Sequence, residues 1–265
     1  MSGTLRLTHS TLRRGRTRVL EPGRLEFPAG AVIGVVGLNG AGKTTLLMSV
    51  AGVLTHHPAA IELERPGSGE RILDPDVGYA PQHPAVPAWL TAGDTIRLLG
   101  AGIETLRTRA AGLAVDEFLG RRNRALSGGQ RQALSLALAL GSGAPLLVLD
   151  EPFAALDMRR RRGLMDDVLR LAASPEPPTL VLSAQSAGDL NELCSHYVVL
   201  AGGRYAFVGP REVLLAAAGA GNGRSEIERL ERTILEHAAA VPTEVVSAPA
   251  GLPRTFTYRG QEGDR

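Results

Sequence analysis

Nine residues, Gly37-Leu-Asn-Gly-Ala-Gly-Lys-Thr-Thr45, constrain this chain more than any other stretch. They fit G-x-x-x-x-G-K-[ST], with Gly37, Gly42, Lys43 and Thr44 at the fixed positions. The flanks agree with that reading. Ala31–Val36 is an apolar run suited to a buried parallel strand, and Leu46–Ala51 opens as a helix. A loop in this setting aims successive backbone N–H groups at a polyphosphate, here along Gly37, Asn39, Gly40, Ala41, Gly42 and Thr45. The following helix N-terminus adds its partial positive charge. Lys43 is placed to reach the β- and γ-phosphates, and the Thr44 hydroxyl a Mg²⁺ ion. The chain is therefore expected to bind a nucleoside triphosphate.

Composition narrows the remaining choices. The 265 residues hold 44% apolar and 21% charged side chains, enough for a sizeable core. The net charge is +2, with Arg runs at Arg13–Arg18, Arg121–Arg124 and Arg159–Arg162 that read as solvated faces. No nucleic-acid partner is expected from that balance. The single cysteine, Cys194, excludes an internal disulfide and agrees with a reducing compartment. Neither a secretory signal pattern nor an 18-residue apolar run is visible. The expectation is a soluble chain, held at a membrane only through a partner.

Taken in order, residues 4–30 read as short strands joined by basic turns. Further strands are expected near Ala60–Leu63 and Asp76–Tyr79, before the rigid loop Ala80-Pro-Gln-His-Pro84. Thr91 is a candidate cap for a helix through Leu99, and Glu104–Leu113 for another. A strong helix follows over Gln130–Leu140, then a strand at Leu146–Leu149 and an amphipathic helix at Met158–Ala172. Strands at Thr179–Leu182 and Tyr197–Leu200, a hairpin at Gly202–Gly209 and a short helix at Arg211–Ala218 complete the pattern. Strands alternating with helices imply an α/β fold with a mostly parallel sheet. Residues 1–218 are expected to form the main domain. Residues 219–265 read as an extension with one amphipathic helix from Ser225 to about Ala239 and a Pro/Gly-containing tail.

Three stretches decide the class. Leu146–Glu151 is an apolar strand ending in two carboxylates, which suits Asp150 as a metal ligand and Glu151 as base toward an attacking water. Leu126-Ser-Gly-Gly-Gln130 reads as a second helix N-terminus with exposed amides, a free hydroxyl and no bulk, suited to another phosphate. Because the chain already has one phosphate loop, that second phosphate is expected from another subunit. The third stretch is the Gln82 loop.

With the turn Ala155-Leu-Asp157, these motifs fall in the order of the ATP-binding cassette (ABC) ATPases, which the chain resembles over residues 4 to about 215. The resemblance implies a P-loop NTPase core, an N-terminal antiparallel β subdomain and a small helical subdomain at about residues 88–140. It implies a head-to-tail dimer closing on ATP and Mg²⁺, as a homodimer or a heterodimer with a second ABC subunit. Lys43, Thr44, Thr45 and the loop amides would hold phosphates and metal, with Asp150. Gln82 would complete the metal shell and sense a transmembrane permease subunit. Ser127, Gly128 and Gly129 would meet the γ-phosphate bound by the opposite subunit. Glu151 would be the general base, and Asp157 would communicate across the dimer.

Two positions depart from the family pattern. Where the family has a histidine after the third strand, Gln185 stands, which can donate a hydrogen bond but carry no charge. Losing that contact is expected to slow hydrolysis by about 10–1000-fold, the scale of one transition-state donor. Where an aromatic residue stacks on adenine, this chain offers Arg14, whose guanidinium plane can also stack on a base. The chain accordingly reads as the ATPase subunit of a membrane transporter, exporter-like in the Gly37–Leu47 sequence and its C-terminal helix. The alternatives are a soluble cassette acting on ribosomes or DNA, and a regulatory cassette with slow hydrolysis uncoupled from transport.

Overall fold

The computed structural model describes residues 3–217 apart from 55, 66, 67 and 186. The expected extension over residues 219–265, with its helix, lies outside them.

A six-stranded sheet forms the centre. Its strands are β5 (Val32–Gly37), β8 (Val77–Ala80), β9 (Leu146–Leu149), β10 (Thr179–Ala184), β11 (His196–Ala201) and β12 (Arg204–Pro210). Their order is β12-β11-β5-β10-β9-β8, parallel except for β12, which returns from β11 through the Gly202-Gly203 turn. Both faces are covered. Val32, Val36, Leu147, Leu149, Leu180 and Leu182 belong to one core cluster, while Ile33, Val35, Leu146, Val148 and Val181 belong to the other. That period of two explains why these strands are apolar throughout, as a doubly covered sheet requires. Each such side chain contributes roughly 1.5–3 kcal/mol by leaving water, so the platform is stiff.

The second cluster is closed by α1 (Lys43–Val50) and an antiparallel sheet of order β4-β1-β6-β7. Its strands are β1 (Thr4–His9), β4 (Gly23–Pro28), β6 (Ala60–Glu64) and β7 (Arg71–Leu73). A two-stranded ribbon, β2 (Leu12–Arg14) with β3 (Thr17–Leu20), lies beside α1. The strand β7, too short at three residues to stand out in the sequence, pairs with β6.

On the opposite face pack α2 (Ala92–Leu98), α3 (Ile103–Arg109), α4 (Gly128–Gly141) and α5 (Met158–Ala172), with 3₁₀ turns at Ala111–Leu113, Val115–Phe118 and Asn123–Ala125. Thr91 caps α2 through a capping box with Asp94. Ile96, Leu106 and Phe118 share a core cluster with Leu147 and Leu180 of the sheet, so the helical segment is continuous with the main core. A short α6 (Arg211–Ala217) follows β12.

Helical segment and core meet backbone to backbone. A methyl group at Gly112 would stand 2.2 Å from the carbonyl oxygen of Gly163 on α5. The Gly112 N–H donates to the carboxylate of Asp167, 3.0 Å from Oδ2, and Arg170 pairs with the same carboxylate. Asp167 is buried on the face of α5 that also carries Leu164, Val168 and Leu171.

Candidate active site

The C-terminal edge of the parallel sheet is where four chain segments turn at once, the position at which open α/β sheets hold ligands. The register fixes who meets whom. Ala80 of β8 and Leu182 of β10 both lie level with Leu149 of β9, while β10 also runs beside β5. The residues just beyond those ends are Gln82, Asp150, Glu151 and Gln185, facing the loop that leaves Gly37.

That loop is closed by backbone constraints. A side chain at Gly37 would collide with the Leu200 carbonyl oxygen, 2.3 Å away. Gly42 precedes α1 at φ 105°, a left-handed value that glycine adopts without penalty. No side chain caps α1, so its first amides are left for a ligand. Ala41, Gly42, Lys43 and Thr45 are buried, Thr44 is half-buried, and Asn39 and Gly40 are exposed. The Lys43 ammonium donates to the carbonyl oxygens of Gly37 (2.8 Å) and Leu38 (3.4 Å). Burial pushes its pKa below the ordinary value, and the charges of Glu151 and Asp150 pull it partway back.

Asp150 is 0% exposed, and its Oδ2 has no hydrogen-bond partner. A buried carboxylate oxygen left open in this way fits a cation arriving with substrate. Its charge is felt on β8: Tyr79 is pushed up to about 12, by burial first and then by Asp150. Glu151 takes φ 46°, rare for a residue with a side chain. Its carboxylate accepts two side-chain amides, from Gln82 (3.1 Å) and Gln185 (3.3 Å). The two glutamines thus meet on one carboxylate.

Ser127, Gly128 and Gly129 lie elsewhere. Helix α4 begins at Gly128, two residues earlier than the sequence suggests, because Ser127 caps it. The hydroxyl expected to be free in fact accepts the Gln130 N–H at 3.2 Å, and the Gln130 side chain accepts the Ser127 N–H. This capping box leaves the hydroxyl only its proton and one lone pair for a ligand. Ser127 and Gly128 are exposed, and Gly129 is half-buried, where an added methyl group would stand 2.8 Å from the Ala155 carbonyl oxygen. Among the described residues no hydrogen bond or ion pair joins this turn to the Gly37–Thr45 loop. Asp157 caps α5 through Arg160 N–H (2.9 Å) and pairs with the Arg160 guanidinium, which together hold its carboxyl below the usual range.

Arg14 stands exposed at the end of β2, opposite Thr17. A cavity of about 430 Å³ flanks the loop at Gly40, lined by Thr17, Arg18, Val19, Glu21 and the Gly202–Arg204 turn. Arg14 is outside that lining, whereas Arg18 is in it, paired to Glu21. Sequence reasoning passed over Arg18 as part of an Arg run. It also passed over Ser183, a polar residue inside an otherwise apolar strand.

Comparisons with known proteins bear on family and fold. The family model described as ABC transporter matches residues 20–154. The thiamine import ATP-binding protein of Shigella flexneri is 32% identical over 206 residues, covering 74% of this chain and 88% of that protein. Among solved structures, an ATP-binding subunit of an ABC transporter superposes with a TM-score of 0.69 at 23% identity, covering 88% of this chain and 99% of that one. A dimeric ATP-binding cassette in a post-hydrolysis state with ADP and Pi gives 0.60 at 22% identity, covering 76% and 96%. At these identities the two structures speak for the fold, a P-loop core with an antiparallel sheet beside it.

Proposed function

As the chain belongs to the ABC transporter family of ATP-binding proteins, we propose that it hydrolyses ATP as the nucleotide-binding subunit of a membrane transporter. The observation that carries this reading is the meeting of three groups at one sheet edge: a buried ammonium, a buried carboxylate with one open oxygen, and Glu151.

On binding, Lys43 exchanges the Gly37 and Leu38 carbonyls for phosphate oxygens, and the first amides of α1 turn toward the same charge. Thr44, Asp150 and Gln82 are the residues that would hold Mg²⁺, which when bound supplies positive charge to the leaving phosphates. Glu151 takes a proton from the attacking water. Both glutamine amides donate to its carboxylate and orient it, and slow turnover is proposed because Gln185 can donate a hydrogen bond but carry no charge. Arg14 is assigned to the adenine face, stacking through its guanidinium plane.

The site is completed by Ser127, Gly128 and Gly129 of a second copy or a second ABC subunit, arranged head to tail. The exposed position of that turn in the single chain supports this. A site weakened at Gln185 is better tolerated beside a complete one, which favours a heterodimer. Among the described residues no helix is long and apolar enough to cross a membrane. A permease subunit is assigned to the Gln82 loop, with the chain on the inner face of the cell membrane; the exposed Trp89, Leu98 and Leu99 follow that loop in the chain. Export is the direction proposed from the Gly37–Leu47 sequence. Import is the second reading, favoured by the thiamine import relative.

Two measurements test this. The purified chain should bind a fluorescent ATP analogue and release phosphate slowly. Affinity-tagged chain should recover a polytopic membrane protein, whose inverted vesicles then report direction; recovery of ribosomes alone would overturn the transporter reading.

A further inference from the structure

One hydroxyl touches both acidic residues of the site. Ser183 lies on β10 between buried Leu182 and Ala184, and is itself 0% exposed. Because Leu182 is level with Leu149, the next residue of β10 comes level with Asp150. A serine hydroxyl has one proton to give and two lone pairs to accept with. Here it donates to Oδ1 of Asp150 at 2.6 Å and accepts the Glu151 N–H at 2.8 Å. A polar side chain in so apolar a strand persists only where its partners are made, and both of Ser183's are residues of the reaction site.

Two things follow for geometry. With Oδ1 occupied, the Asp150 carboxylate cannot spin freely, and Oδ2 is the oxygen left open. Glu151 occupies a left-handed backbone conformation at φ 46°, which needs outside support, and its N–H is anchored to Ser183. The same hydroxyl therefore sets the direction of the metal-facing carboxylate and the backbone from which the base projects. We propose that Ser183 is a positioning residue for ATP hydrolysis, acting through Asp150 and Glu151 without touching nucleotide. The proposal rests on the roles given to those two residues above.

The test uses the full chain carrying Ser183→Ala, Ser183→Cys or Ser183→Thr, with three readouts: kcat, KM for ATP, and Mn²⁺ affinity of the ADP-loaded protein by electron paramagnetic resonance. Alanine and cysteine should lower kcat and Mn²⁺ affinity by about 10–100-fold, the usual cost of losing a group that orients a metal ligand, with KM for ATP little changed. Threonine keeps the hydroxyl and should restore both. Wild-type kcat and Mn²⁺ affinity in Ser183→Ala would overturn the proposal. So would a Ser183→Thr protein as impaired as the alanine variant, since keeping the hydroxyl would then not restore the site. Should Ser183→Ala fail to fold by circular dichroism, cysteine against threonine decides, and equal kcat in those two overturns it. A wild-type chain that hydrolyses no ATP would instead sink the transporter ATPase reading itself.

Discussion

Lys43, Asp150 and Glu151 stand at the end of a sheet buried on both faces, whereas Ser127, Gly128 and Gly129 stand at the open tip of a single helix. The first group is fixed many times over. Register with β8 and β10 sets the position of Asp150, a carbonyl contact sets Gly37, and two amides hold Glu151. The second group is fixed by one capping box and one close approach, Gly129 to the Ala155 carbonyl. A preorganised half can bind triphosphate alone. On the function proposed above, the exposed half, a hydroxyl and helix-end amides, would act on a phosphate held by a second chain. If that contrast is real, variants in the two halves should fail differently.

The largest expected effect is at Glu151. Glu151→Gln removes the base but no phosphate ligand, so phosphate release should fall about 10³-fold, within the range for a lost general base, while ATP-analogue binding is retained. A variant keeping a tenth of the wild-type rate would place the base elsewhere. The division between halves is broken or upheld by mixing. Lys43→Ala and Ser127→Arg should each be inactive alone, the second still binding ATP. Mixed, half of random dimers would be heterodimers with one intact composite site, so activity should return to about a quarter of wild type. No recovery on mixing would argue against sites shared between two copies of this chain.

The next variant sharpens the account of the buried half. Gln185→His restores a side chain able to carry charge beside the γ-phosphate, and kcat should rise between about ten- and a thousand-fold. Equal rates would show that Gln185 does not limit turnover. A further variant concerns how the exposed half is attached. Gly112→Ala drives a methyl group into the Gly163 carbonyl, 2.2 Å away, and should cost about 1–3 kcal/mol in urea unfolding, as overpacking does. ATP-analogue binding at the sheet edge should be spared.

These differences also explain what the sequence could say. Buried strands announce themselves as apolar runs, so β5, β9, β10 and β11 were legible within two residues, as was the Thr91 cap of α2. Carboxylates and glycines at strand ends were legible because their spacing is tied to phosphate geometry. What escaped depends on pairing across the fold. β7 is a three-residue strand paired with β6, and Ser183 has meaning only beside Asp150. The Ser127 hydroxyl seemed free because Gln130 was read as one of the signature residues, although Ser-x-x-Gln is itself a capping box. Asp167 falls on the apolar face of α5, where the periodicity predicts another aliphatic residue; nothing local signals that it answers the Gly112 amide.

Asp167 gives the smallest effect and the finest probe of the joint between the halves. Burial pushes its carboxyl up to about 6 from 3.8, against the opposing pull of the Gly112 N–H and Arg170. A carboxyl whose pKa is higher folded than unfolded binds protons more readily in the folded chain. Its contribution to stability is therefore greatest at low pH, declines as pH rises from about 3.8 to about 6, and is flat above. Asp167→Asn stays neutral throughout and keeps an oxygen for the Gly112 N–H. Relative to wild type, its unfolding free energy should lose about 1–2 kcal/mol less between pH 4.5 and pH 7, since one pKa unit is worth about 1.4 kcal/mol. Urea titrations at both pH values measure it. Parallel pH slopes in the two proteins would mean that Arg170 and the Gly112 N–H fully compensate the buried charge.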